Sequence, residues 1–243
     1  MRMLVPELRT GATRDIASAW DFAKAKLRID WIRFLTGIGY ERSFEYPWVF
    51  NSLGIRRGMR VLDVGSSATI FPLFVTATVD CFVSAVDIDR RVLRLRQYAQ
   101  KMGLGPKIQT GQLEIVHLRS PGIPYPDAFF DRISCISTIE HNPNTEDTKL
   151  IVELMRVLKN KTGLLALTFP LTREHQEIYI KPGQDKTSLF HEHRYSFSSL
   201  STRLVQPSGG RVEKMSVFGE KGFEFGKKIF YNCLLYTSPS PRD

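Results

Sequence analysis

The sequence is poor in cysteine, with three in 243 residues. Cys81, Cys135 and Cys233 lie far apart, without the close pairing that thiolate metal centres require, so a disulfide framework or cysteine-held metal is not expected. Cys81 and Cys135 fall in predicted strands, where a thiol acts as a small hydrophobe. No apolar run approaches the roughly 20 residues that cross a bilayer. Met1-Arg2-Met3-Leu4-Val5-Pro6-Glu7 has no long apolar stretch ahead of a small-residue cleavage site. The expectation is therefore a cytoplasmic chain with no membrane partner. No repeat of fixed period is present either.

Negative charge is in deficit: 34 Lys and Arg face 25 Asp and Glu, a net +9. That balance admits a nucleic-acid partner, but the charge is spread as on an ordinary surface helix. Over 90–102, Val92, Leu95, Ala99 and Met102 form an apolar stripe opposite Arg90, Arg94, Gln97 and Lys101. No aromatic side chains interleave these arginines to stack on bases. A nucleic acid is thus a possible partner but not the favoured one.

What is present begins at Val61-Leu62-Asp63-Val64-Gly65-Ser66-Ser67-Ala68-Thr69, followed by Ala85-Val86-Asp87-Ile88-Asp89. An apolar strand ends in a glycine turn, and a second apolar strand ends in an acid just over 20 residues later. This is the spacing of a βαβ unit that holds a nucleoside-bearing cofactor. A dinucleotide site would use Gly-x-Gly-x-x-Gly, but Gly65 is the only glycine in this turn. Asp63 would also repel a pyrophosphate, while suiting a cationic ligand with an amino group. S-adenosylmethionine is such a ligand. Gly65 permits close backbone approach, Asp63 can reach the ammonium, and N–H groups at the next helix start can meet the carboxylate. Asp87 can accept from both ribose hydroxyls, with Ile88 against the adenine. Asp89 reads as a helix cap.

With Pro124-Tyr125-Pro126-Asp127-Ala128-Phe129-Phe130-Asp131, Ile133-Ser134-Cys135-Ile136-Ser137-Thr138-Ile139-Glu140-His141, and Glu153-Leu154-Met155-Arg156-Val157-Leu158-Lys159 with Gly163, the sequence resembles the class I S-adenosylmethionine-dependent methyltransferases, type 11. The resemblance runs from about Trp48 to about Ser216. It implies an α/β, Rossmann-like, doubly wound and mostly parallel sheet of order 3-2-1-4-5-7-6, with N-terminal helices roofing the substrate side. It also implies methyl transfer to an O or N acceptor on a small or medium-sized molecule. The cofactor-binding residues expected are Asp63, Gly65, Ser66, Ser67, Asp87, Ile88, Arg119, Ser120 and Ser137, with His141 as general base. The pattern departs from the family at Ser67 and Thr69, where further glycines are usual. It departs again at Arg119, where an acid often reads the adenine. These departures keep open a catalytically degenerate nucleotide-binding or scaffold module. The positive charge keeps open an RNA methyltransferase, and Asp87 alone would also suit an NAD-dependent oxidoreductase, which the missing glycines and Asp63 disfavour. No metal is expected: a site would need Glu140, His141 and His191 or His193.

Periodicity predicts helices over 14–35 (Ile16, Trp20, Ala23, Leu27, Trp31 and Phe34 on one face, capped by Thr13 or Asp15), 44–53, 70–78 (capped by Thr69), 89–103, 145–159 and 197–205. Strands are predicted over 60–64, 81–87, 112–118, 132–138, 163–169 and 211–218. The segment 170–196 exceeds ordinary loop lengths and reads as a lid or substrate loop. Acceptor-side candidates are Glu45, Tyr46, Trp48, His175, Tyr179, His193 and Tyr195. The resulting organisation is a helical cap over 1–55 and a cofactor domain over 56–232. Residues 233–243 read as translation of a transposase adapter used in sequencing libraries, which leaves the last strand missing or counterfeit.

Overall fold

In the computed structural model, residues 17–29, 40–119, 122–181 and 188–218 are described, with the backbone of 230–237. Two helices lead, α1 (Ala19–Leu27) and α2 (Tyr40–Leu53). The alternating part follows as β1 (Arg60–Val64), α3 (Phe71–Thr78), β2 (Phe82–Asp87), a 3-10 turn (Arg90–Leu93) running into α4 (Arg94–Lys101), a short α5 (Gly105–Gln109), β3 (Leu113–His117), β4 (Arg132–Ile136), α6 (Glu146–Val157) and β5 (Leu164–Leu171). A hairpin of β6 (Gln176–Ile180) and β7 (Leu189–Arg194), a helical stretch over 197–208, β8 (Arg211–Phe218) and β9 (Phe230–Thr237) complete it.

The sheet order is β3-β2-β1-β4-β5-β9-β8, which is the expected 3-2-1-4-5-7-6. The first five strands are parallel, and β9 runs antiparallel to β5 and to β8. Parallel strands are covered on both faces and therefore read as continuous apolar runs; Val61, Leu62, Val64, Val83, Ala85 and Val86 are all buried. The apolar stripe Val92, Leu95, Ala99 and Met102 is buried against this sheet, as its spacing requires.

Several expectations are corrected. The first helix is shorter and turned: Phe22 and Ala25 are buried, whereas Trp20 is 58% exposed. Its cap is Ser18, whose hydroxyl bonds Asp21, while Ile16, Trp31, Phe34, Thr13 and Asp15 lie outside the described residues. Phe22 supplies the packing, its ring centred 3.9 Å from Phe74 and 6.0 Å from Phe71. Helix α2 begins earlier than expected and runs through Pro47. Helix α3 starts after Ile70 without a side-chain cap, so Thr69 does not cap it; Pro72 sits in the first turn, where its missing N–H is harmless. The segment 170–196 holds a two-stranded ribbon rather than a loop. The place of the last strand is filled, Phe230–Thr237 pairing with Leu171–Leu164. Ladder pairing uses backbone groups alone, which is how the stretch from 233 onward takes part.

Candidate active site

The carboxyl ends of β1, β2 and β4 open onto one cavity of about 930 Å³, lined by Asp63, Gly65, Ser67, Asp87, Ile88 and Ser137 among others. The glycine turn is tied to the second strand, since the N–H groups of Gly65 and Ser66 both donate to Val86 O, at 3.0 and 3.2 Å. Gly65 has φ +73°. Ser67, at φ 42°, also occupies the left-handed region, which an L side chain enters at a cost. That geometry is the physical reason for the family's usual glycine there.

Asp63 is buried at the cavity floor. Ser66 Oγ donates to one carboxylate oxygen and Ser134 Oγ to the other, each at 2.6 Å. Burial pushes its carboxyl up to about 6 despite these hydroxyls. Among the described residues no Lys or Arg forms an ion pair with it, so a ligand cation would meet an unneutralised carboxylate. Ser66 itself faces inward, and its role is to hold Asp63. Asp87 accepts from Ser67 N at 2.7 Å through one oxygen and from Asp89 N at 2.8 Å through the other. Both oxygens are thereby oriented, and each keeps a lone pair for a diol. Ile88 is 69% exposed beside it, and Leu118 and Ile123 line the same cavity. The donor set therefore fits S-adenosylmethionine: a carboxylate for the ammonium, a carboxylate for the ribose and an apolar wall for the adenine. Arg119 is exposed and off this wall, and Ser120 lies outside the described residues.

On the opposite side, Ser137 N–H is taken by Thr168, at 2.9 Å to Oγ1, and Ser137 Oγ donates to the buried Glu45 at 2.8 Å. Glu45 also pairs with Arg42, which lines the cavity. Ser137 thus reaches the cavity with its N–H already committed. Tyr46 lines the cavity too, its hydroxyl pushed up to about 12 by burial. Glu140 is buried with Oε2 unpartnered, and burial together with the charge of Glu45 holds its carboxyl well above the usual range. Neither Glu140 nor His141 caps α6, whose N-cap position is Thr145. His141 is exposed at the cavity, with Nδ1 2.7 Å from the backbone carbonyl oxygen of His191. A carbonyl only accepts, so Nδ1 carries the proton and the Nε2 lone pair is free.

The other acceptor-side candidates separate. Trp48 Nε1 donates to Ser216 Oγ at 3.1 Å, away from the cavity. His175, Tyr179, His193 and Tyr195 do not line it. Arg42 and Thr138 join the site without having been expected there. Arg42 carries no motif signal, whereas Thr138 lies inside the Ser137–His141 motif and shows its importance only in three dimensions.

Residues 62–167 match the family model described as a methyltransferase domain. The chain is 29% identical over 130 residues to the sterol 24-C-methyltransferase of Gibberella zeae, covering 52% of this chain and 32% of that protein. It is 26% identical over 173 residues to the ubiquinone/menaquinone biosynthesis C-methyltransferase of Yersinia pestis, covering 69% and 63%. It thus spans less than two thirds of either relative. The crystal structure of the [4+2]-cyclase SpnF superposes with a TM-score of 0.63 at 18% identity, over 80% of this chain and 79% of that one, which is a likeness of fold. Residues 62–167 are thus a methyltransferase domain of the type 11 kind, and the strand order, the glycine turn and the two carboxylates around it are similar to those of class I S-adenosylmethionine-dependent methyltransferases.

Proposed function

We infer that this chain transfers a methyl group from S-adenosylmethionine to an oxygen or nitrogen of a small or medium-sized acceptor. The observation that carries this reading is the convergence of Asp63 and Asp87 on one cavity, on either side of Gly65. When bound, the sulfonium supplies an electrophilic methyl group. Asp63 balances the ammonium, Asp87 binds the ribose diol, and Ile88 with Leu118 and Ile123 encloses the adenine. Without an acid at Arg119, the adenine amino group is left to backbone acceptors.

Displacement at carbon asks mainly for collinear placement of nucleophile and leaving group. His141 takes the proton of the acceptor on Nε2, the His191 carbonyl having fixed the other nitrogen as N–H. A carbon acceptor is the second reading, supported by the two relatives, both named as C-methyltransferases. It calls for base catalysis only where the carbon must lose a proton.

The test is calorimetric titration of S-adenosylhomocysteine into the full chain, with NAD as control, alongside Asp87→Asn. Circular dichroism establishes that both proteins are folded. Losing a charge-assisted hydrogen bond of roughly 1.5–3 kcal/mol weakens binding about tenfold to a hundredfold. No heat from a folded chain would instead indicate a binding module that has lost its cofactor.

A further inference from the structure

Away from the cavity, the β6–β7 ribbon gathers three side chains that the proposed methyl transfer does not use. His175 immediately precedes β6, and Glu177 is the second residue of that strand. Glu177 is the cross-strand neighbour of His193 on β7. One ligand atom from each of the three lies within 4.8 Å of the other two. His193 is fully buried, and its Nδ1 has no hydrogen-bond partner. That nitrogen faces Glu177 Oε1 at 3.9 Å, too far for a hydrogen bond. A buried polar atom left unmade in this way is destabilising and calls for an explanation.

The surrounding partners leave lone pairs free on His175 and Glu177. His175 Nδ1 lies 3.1 Å from Ser199 Oγ. The Ser199 hydroxyl hydrogen goes to Ser196 O, at 3.2 Å, so the serine oxygen accepts from the histidine. His175 therefore carries its proton on Nδ1 and keeps a lone pair on Nε2. Tyr179 O–H donates to Glu177 Oε2 at 2.8 Å, leaving Oε1 toward His193. His193 Nε2 lies 3.3 Å from Arg203 Nη2, but that nitrogen already spends its two hydrogens on Asn144 O and Asp147 Oδ1. A guanidinium nitrogen only donates, so in the ligand-free chain Nε2 takes a long, shared Arg203 N–H and Nδ1 carries the proton; an ion at Nδ1 moves that proton to Nε2 and gives up the Arg203 contact. The charge of Arg203 is met by Asp147, so Glu177 is the net charge facing the cluster.

We propose that His175, Glu177 and His193 form a binding site for a divalent transition metal of the zinc class, with a fourth position open to water. Two imidazoles and one carboxylate are a donor set that such an ion takes. Ser199 and Tyr179 supply the outer hydrogen bonds that orient ligating groups. The site pins β6 to β7. Two residues before His193, the same strand presents the His191 carbonyl that holds His141, so the metal braces the ribbon at the cavity mouth. This consequence for methyl transfer rests on the function proposed above, whereas metal binding itself does not.

The experiment uses the full chain stripped with a chelator and titrated calorimetrically with zinc chloride. Cobalt chloride is added in parallel, with visible absorption reporting low-coordinate cobalt. Expected are one ion per chain, a thermal midpoint raised by zinc, and affinity at least about tenfold weaker in Glu177→Gln and in His175→Ala. Glu177 is 39% exposed, so its variant keeps the fold even if His193 variants do not. No uptake by a folded chain overturns the proposal. So does uptake unchanged in both variants, or uptake lost in His141→Gln and retained in Glu177→Gln, which would put the ion at the cavity.

Discussion

Gly65 and Thr138 contend for one space: a β-carbon built on Gly65 would lie 2.1 Å from both Oγ1 and Cγ2 of Thr138. The first residue follows β1 and the second follows β4, so this contact sets how closely the two cavity-forming loops approach. Gly65→Ala is expected to abolish S-adenosylhomocysteine binding and to lower stability by more than about 1 kcal/mol, because clash and positive φ act together. Pairing it with Thr138→Gly relieves the clash but not the backbone strain. Thermal melts of the four proteins separate the two contributions.

Asp63 gives the fold a pH dependence of unusual sign. Its carboxyl is raised by burial from 3.8 to about 6 in the folded chain, which therefore binds the proton more tightly than the unfolded chain does. The ionised form is destabilising; that effect is absent below 3.8, grows through the window between, and is complete above about 6. Asp63→Asn is thus expected to stabilise the ligand-free chain by up to about 3 kcal/mol near pH 8 and by much less near pH 4. The same variant should bind S-adenosylhomocysteine more weakly, having lost the charge opposite the ammonium. Melts and calorimetry at the two pH values check both. An equal change in stability at both would remove Asp63 as the titrating group.

Ser67 bears strain that glycine would not. Ser67→Gly is expected to raise stability by up to about 1 kcal/mol, the relief of a left-handed φ exceeding the entropic cost of glycine. Asp87 keeps its bond from the backbone N–H of residue 67, so cofactor affinity should hold or improve. A lower melting temperature would show that the serine side chain contributes more than the strain removes.

His141→Gln separates chemistry from binding. With an acceptor that must lose a proton, kcat is expected to fall about 10²- to 10⁴-fold, with S-adenosylhomocysteine affinity unchanged. If affinity fell in step with kcat, His141 would be holding the loop rather than moving a proton.

The part of the molecule legible in the sequence is the part whose signals are local. The strand–turn–strand pattern from Val61 to Asp87 placed Asp63, Gly65, Asp87 and Ile88 on one cavity, because parallel strands deliver their carboxyl ends to the same edge. The stripe from Val92 to Met102 predicted its buried face for the same reason. Helix α1 misled because Trp20 and Leu27 are large and correctly spaced, yet burial followed Phe22, which meets Phe71 and Phe74 from a distant segment. The ribbon at 176–194 was hidden because its strands are polar and charged, including Gln176, Glu177, Glu192 and Arg194, and lack the apolar alternation of a half-buried strand. The Ser137–Glu45 bond spans 92 positions, and no periodicity reaches that far.

The position of β9 bears on how copies of the chain behave toward one another. It lies between β5 and β8, pairing with all eight residues from Leu164 to Leu171. Without that strand, β5 would become an open edge with no charged side chain along it, blunted only by Pro170 near its end. Such an edge recruits strands from other molecules. The extended backbone of 230–237 thus has a consequence beyond the fold of one molecule: by occupying the edge of β5 it withholds that edge from a strand of a neighbouring copy.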